Sequence, residues 1–231
     1  MGAIVNVGDV KSGDANVEDA LYALLHRRDA RAAFARGELA CEELRAIDRE
    51  QLEAMARLVR DTVFTRSQLG CGTLADAFAR TIAAWHAAHP AATLDDLAAD
   101  FLESPSFDAH AADGPCIEEA FFRFAEATNI GEAATRAEEA AEAIVKTLAV
   151  CEEPAFAVPE LVRRAPRGWL AIAPGPRLVA AVDGRFMRGA ITPLLADLLT
   201  CDRTDDVAAR HGLSAEELRA TTAELARLGL R

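Results

Sequence analysis

The sequence predicts a mainly α protein, an all-α N-terminal domain followed by a small C-terminal winged helix-turn-helix of three short strands and three helices. Three observations carry this. Apolar residues recur at three- and four-residue intervals from Val17 to Val150, the period of helices with one buried side. Asp183-Gly184 separates two β-type runs, a strong hairpin signal. Ser214 with Glu217 forms a capping-box pattern ahead of a final helical stripe.

The C-terminal block follows from local chemistry. Trp169-Leu-Ala-Ile-Ala is a short apolar run stopped by Pro174-Gly175-Pro176, and Arg177-Leu-Val-Ala-Ala-Val is a second one stopped by Asp183-Gly184. Arg185-Phe-Met-Arg-Gly should return as the third strand. Thr192 before Pro193 is an N-cap followed by proline at the first helical position, opening a short helix with Leu194, Leu195, Leu198 and Leu199. A second helix, Thr204 to His211, should stop at Gly212, which suits a left-handed C-cap. The third carries Leu218, Thr221, Leu225 and Leu228 on one inward side.

The N-terminal part reads as about six helices. Val17, Leu21, Leu24 and Leu25 begin the first, which ends near Gly37. Asp48 can cap the second, with Leu52, Met55, Val59 and Val63 inward. After Gly70-Cys71-Gly72, Thr73 opens a third with Leu74, Phe78, Ile82 and Trp85, stopped by Pro90. Thr93 and Asp96 cap a fourth with Leu94, Leu97, Phe101 and Leu102. A loop holding Ser104-Pro105 and Asp113-Gly114-Pro115 precedes a fifth with Ile117, Phe121 and Phe124, and an alanine-rich sixth runs from about Glu132 to Val150. The implied organisation is a flexible segment 1–16, a helical domain 17–152, a linker 153–168 and the winged block 169–231.

Composition narrows the function. At 231 residues and 51% hydrophobic, the chain can bury one large or two small cores. No segment approaches the ~20 apolar residues of a membrane span, and the start lacks a signal-peptide pattern, so a cytoplasmic location is expected. Five scattered cysteines (Cys41, Cys71, Cys116, Cys151, Cys201) without a CxxC suggest free thiols. The net charge of −12 opposes nucleic acid or anionic membrane as a partner. From Arg177 to Arg231 there are eight arginines and eight acids, and the last helix sets Glu216, Glu217 and Glu224 against Arg219 and Arg227. Such a helix offers little to duplex phosphates.

Candidate chemistry within the chain is sparse. His86 and His89 lie three apart near Asp95 and Asp96, a weak metal pattern beside the simpler reading of exposed residues at a helix end. Cys116 follows Gly114-Pro115 at a helix start, where a thiolate would be favoured, with His110 as the nearby base and Asp108 and Asp113 in the same loop. The plainer reading is a small buried residue. Arg136, Glu138, Glu139 and Glu142 read as a solvated or partner-facing charged face. Phe122 lies about 100° from Phe121 on its helix, a candidate for a subunit interface. No Walker loop, GxGxxG, GxSxG or HExxH occurs, so no catalytic or metal set is assigned and the chain is expected not to be an enzyme.

The other use of this layout is peptide capture by strand addition. RLVAAVDGRFMRG, TPLLADLL and DRTDDVAARHGLSAEELRATTAELARLGL resemble the RiPP recognition element, the PqqD-like domain that holds the leader of a ribosomal precursor peptide. Where many members have Asp-Gly, this chain has Cys201-Asp202. The helical part, through LYALLHRRDARAAFARGEL, LADAFARTIAAWHAAHP with TLDDLAADFLESP, and GPCIEEAFFRFAEA, resembles the partner proteins of multinuclear non-haem iron-dependent oxidases of the methanobactin and 3-thiaglutamate type. The resemblance implies a heterodimer of an oxidase and this accessory subunit, with iron in the oxidase and no cofactor here. It also implies a leader peptide paired with Arg185, Phe186, Met187 and Arg188, over a groove lined by Leu218, Thr221, Thr222 and Leu225. The alternative is a transcriptional regulator with a helical sensor or dimerisation domain, and a third reading is a cysteine enzyme using Cys116.

Overall fold

The structure, a computed structural model, describes residues 17–38, 44, 47–65, 72–112, 114–151, 154 and 156–231. The segment 1–16, Cys41, Cys71, Asp113 and Glu152-Glu153 lie outside the described residues.

The described chain is mostly helical, with a four-stranded antiparallel sheet in its C-terminal region. The elements preceding the sheet are α1 (Val17–His26), α2 (Arg28–Ala35), α3 (Arg49–Thr65), α4 (Leu74–Ala77), α5 (Ala79–Ala88), α6 (Leu94–Leu102), α7 (Pro105–Ala111), α8 (Ile117–Ala127) and α9 (Ala133–Val150). The sheet is a meander of β1 (Val162–Ala165), β2 (Gly168–Ala173), β3 (Arg177–Val182) and β4 (Arg185–Ala190), and α10 (Pro193–Thr200), α11 (Thr204–His211) and α12 (Ala215–Arg227) follow it. Among the described residues, no helix is long and apolar enough to cross a membrane.

The capping signals do what their chemistry requires. Thr93/Asp96 and Ser214/Glu217 form reciprocal capping boxes, Thr192 caps α10 with Pro193 in its first turn, and the Asp48 carboxylate accepts the Glu50 N–H at the start of α3. Gly212 ends α11 in the left-handed conformation. The end of α12 is a Schellman turn, with Gly229 at φ 72°, its N–H on the Ala226 carbonyl and the Leu230 N–H on the Leu225 carbonyl. That turn swings Leu230 into the core beside Leu225, whereas Leu228, expected inward, stays exposed.

Several expected elements are subdivided. The first helix breaks at extended Arg27, and the third breaks at Phe78 into α4 and α5. The loop at Ser104-Pro105 is the start of α7, with Ser104 as its N-cap. The expected linker 153–168 contains β1 and the tight turn Pro166-Arg167 into β2. Its two arginines mask a strand whose outer positions, Val162 and Ala165, are buried. The sheet therefore has four strands rather than three.

Both faces of the sheet are covered, each by its own core. Toward α9 it turns Val162, Trp169, Ala171, Ala173, Val179 and Ala181, which join the large helical core containing Phe64, Phe78, Phe101, Phe121 and Ile144. Away from α9 it turns Ala165, Leu170, Ala180 and Val182, packed with Leu198, Leu199, Val207, Leu225 and Leu230. Two-sided burial explains why β2 and β3 read as continuous apolar runs instead of alternating ones. The alanines on the α9-facing side of the sheet share this core with Ala140, Ala141 and Ala143 of α9.

Candidate functional site

Among the described residues the sheet ends at β4, which pairs with β3 alone. Asp183 (φ 48°) and Gly184 (φ 71°) both take positive φ, the type I′ turn that matches hairpin twist. In a two-residue hairpin the flanking pair exchanges both hydrogen bonds, and bonded pairs then alternate. With Val182 opposite Arg185, the register directs the backbone groups of Arg185, Met187 and Gly189 toward β3. It leaves the N–H and C=O groups of Phe186, Arg188 and Ala190 on the open edge. Such an edge is a template for another strand.

The two rows of β4 side chains face different walls. Phe186 and Arg188 lie opposite Ala181 and Val179 and so face α9, while Met187 lies opposite Ala180 and packs against the C-terminal core. Arg188 donates to the Glu142 carboxylate of α9 at 2.8 Å, and the Lys146 ammonium sits 5.0 Å from the centre of the Phe186 ring. Lys146 also binds Glu142 at 2.6 Å. Burial pushes the Glu142 pKa up, but the hydrogen bonds from Lys146 and Arg188 outweigh it, leaving the carboxyl below its ordinary range.

A cleft of about 570 Å³ opens between β3–β4, α9 and the α4–α5 corner. Arg177 of β3 and Arg80 of α5 both reach Glu138 of α9 across it, at 3.2 and 3.4 Å. Glu139 turns inward: its carboxylate accepts the backbone N–H groups of Arg80 and Thr81 and the Thr81 hydroxyl, satisfying the otherwise uncapped start of α5. Arg136 is buried too and donates to the Ile130 and Gly131 carbonyls. The charged α9 face is thus partly structural. A second cleft of about 650 Å³ lies toward the α9 C-terminus, between Trp169, Ala181, Phe186 and Val150. Arg164 stacks over Trp169 there at 4.6 Å.

On the other side of β4, the expected groove residues separate into two kinds. Leu225 is 3% exposed and belongs to the core, so it is no lining residue; the correction follows from the Schellman turn that locks it against Leu230. Leu218 packs partly buried against the same core as Met187. Thr221 and Thr222 are half-buried, with hydroxyls bonded back to the Glu217 and Leu218 carbonyls. Arg185 is exposed at the start of the edge strand.

Other expected positions change meaning. Phe122, expected at a subunit interface, is 5% exposed within the central core, because α8 is enclosed on nearly every side and even Glu118 and Glu119 are buried. Cys116 is the N-cap of α8 and buried; desolvation and the Glu118 charge push its thiol pKa far up, opposite to the thiolate that a helix start would favour. His110 donates from Nδ1 to the Pro115 carbonyl rather than bonding Cys116, and Asp108 pairs with Arg27. His89 bonds the Trp85 carbonyl and stacks on that ring. Among the described residues, no group of three or more His, Cys, Asp or Glu side chains converges as metal ligands would.

The strand of β4 was expected as the site, but its ion pair to α9 and its two flanking clefts were not legible in the sequence. Arg188 and Glu142 are 46 residues apart, and nothing in either local pattern announces their contact. Comparisons of this chain with protein-family models, with curated proteins and with solved structures find no match in any of the three.

Proposed function

We propose that this chain is a non-catalytic peptide-holding subunit in the modification of ribosomal precursor peptides, capturing the leader as an added strand on β4. The reading rests on one observation, the open edge formed by the backbone of Phe186, Arg188 and Ala190. Main-chain hydrogen bonds supply affinity in strand addition, and alternate side chains supply selectivity. The order of β2–β4 and α10–α12 fits a winged helix-turn-helix of the recognition-element type, with β1 as an additional strand. Met187, Leu218, Thr221 and Thr222 would flank the added strand on one side. An iron-dependent oxidase as partner comes to this reading from the sequence resemblance alone. Holding the leader would raise the effective concentration of the core peptide at that oxidase to the order of millimolar for suitable linkers. The outward face of α12 argues against a DNA reader: Glu217 is committed to Ser214, and Arg227 is paired with Glu224.

The test is selection of random decapeptides displayed against the whole chain, followed by binding to Arg188→Pro and Arg188→Ala. Proline removes an outward N–H without removing a bond to β3. Enriched peptides should bind wild type, bind Arg188→Ala more weakly and fail on folded Arg188→Pro. No enrichment, or equal binding to all three, contradicts the proposal.

A further inference from the structure

The chain carries a net charge of −12, yet arginines stand out into solvent beside β4 while the acids that pair with them are largely covered. The side chains of Arg188, Arg80 and Arg177 are between 49 and 67% exposed, whereas their partners Glu138, Glu139 and Glu142 are between 7 and 21% exposed. These three carboxylates form the base of the first cleft, and the guanidinium groups form its β-sheet and α5 rim, with the exposed Asp76 at the α4 corner. The second cleft is lined by Arg164 and, at its turn end, by Arg185 of the Met187 row and the exposed Asp183; among the described residues neither arginine has a carboxylate partner. Arg164, Trp169, Ala181 and Phe186 form one row across the sheet on the α9 side. Small Ala181 leaves a gap between the two aromatic rings, and this gap is the floor of the cleft.

A strand added to β4 would place every second side chain on this α9 side, beside Phe186 and Arg188. The opposite set would meet Met187 and the α12 side. The two sets therefore face different chemistry, arginine and aromatic groups on one side and a mainly apolar surface, with Arg185 at its turn end, on the other. α9 creates this difference by standing over a sheet face that would otherwise be open.

Resting on the peptide-binding reading above, we propose that the peptide held on β4 is acidic, with carboxylate side chains at alternate positions facing α9, where Arg188 of β4 and Arg177, one strand inward and opposite small Ala190, read them. Electrostatic complementarity of this kind sets selectivity and register more than total affinity. Solvent-exposed pairs contribute about 0.2–1 kcal/mol each, so one carboxylate should strengthen binding by a factor of about 1.4 to 5 at low salt.

The peptides enriched on the whole chain provide the test. They should carry Asp or Glu at alternating positions, and titration of the best one and its Glu→Gln or Asp→Asn forms should show that loss per carboxylate. The loss should vanish in about 0.5 M salt, where the screening length falls to a few ångströms. It should also vanish on an Arg177→Gln/Arg188→Gln chain, whose unfolding transition confirms the fold. Enriched peptides without such acids, or with salt-independent binding, overturn the acidic-peptide inference while strand addition stands. Absence of any enriched peptide overturns the peptide-binding reading itself.

Discussion

Arg188 on the edge strand and Glu142 on α9 form an ion pair of 2.8 Å, which fastens the open side of the sheet to the helical layer. Glu142 holds Lys146 as well, at 2.6 Å, and Arg177 and Arg80 meet neighbouring Glu138. The edge is thus held in place by side chains while its outward backbone groups face away from β3.

Acid should loosen this attachment. The folded-state pKa of Glu142 lies below its ordinary value, so its stabilising contribution is present above the unfolded pKa of about 4.3 and is lost as pH falls through the folded pKa. Glu142→Gln should cost about 0.2–1 kcal/mol at neutral pH and little at low pH. Urea unfolding at pH 7 and pH 3 checks the convergence.

Leu225 acts as a core residue rather than a groove residue. Leu225→Ala should lower stability by about 2–5 kcal/mol, the usual cost of removing a buried leucine side chain. Thr222→Ala, on the half-buried side of the same helix, should cost under about 1 kcal/mol. Equal losses in chemical denaturation would show that α12 packs differently.

Gly168 sits where a Cβ would lie 1.9 Å from the Ala181 carbonyl oxygen, a backbone atom of the neighbouring strand. Gly168→Ala should force β2 and β3 apart and lower the thermal midpoint, with a cost of about 1–3 kcal/mol typical of overpacking. Gly189→Ala, with open space around its Cβ, is the control and should change the midpoint far less.

Cys116 should be slow to alkylate. Burial and the nearby Glu118 raise its pKa, so the thiolate fraction at neutral pH is very small. Cys151 and Cys201 are only half-buried and should react sooner. Peptide mapping after a timed iodoacetamide pulse gives the order; fast labelling of Cys116 in the folded chain contradicts it.

Local chemistry made the caps, the Asp183-Gly184 hairpin and the glycine at the end of α11 readable, because each is decided within a few residues. Three features escaped for stated physical reasons. β1 carries Arg163 and Arg164 between its buried ends, so polarity hid its pairing with β2. The covering of one sheet face by the helical layer escaped because residues such as Ile144, Ala171 and Ala181, which share that core, lie in separate segments that no local pattern links. Phe122 is buried by the enclosure of α8, a property of the tertiary arrangement. At the site, Arg185 to Arg188 were placed correctly on the third strand of the expected set, but the covering of that strand by α9 depends on a contact made 46 residues away.

Amide hydrogen exchange along β4, with and without a selected peptide, tests the central claim most directly. In the free chain the Arg185, Met187 and Gly189 amides should be protected, while those of Phe186, Arg188 and Ala190 exchange quickly. Addition of the peptide should slow the second set and leave the first unchanged. Peptide binding with the Phe186, Arg188 and Ala190 amides still exchanging freely would contradict strand addition.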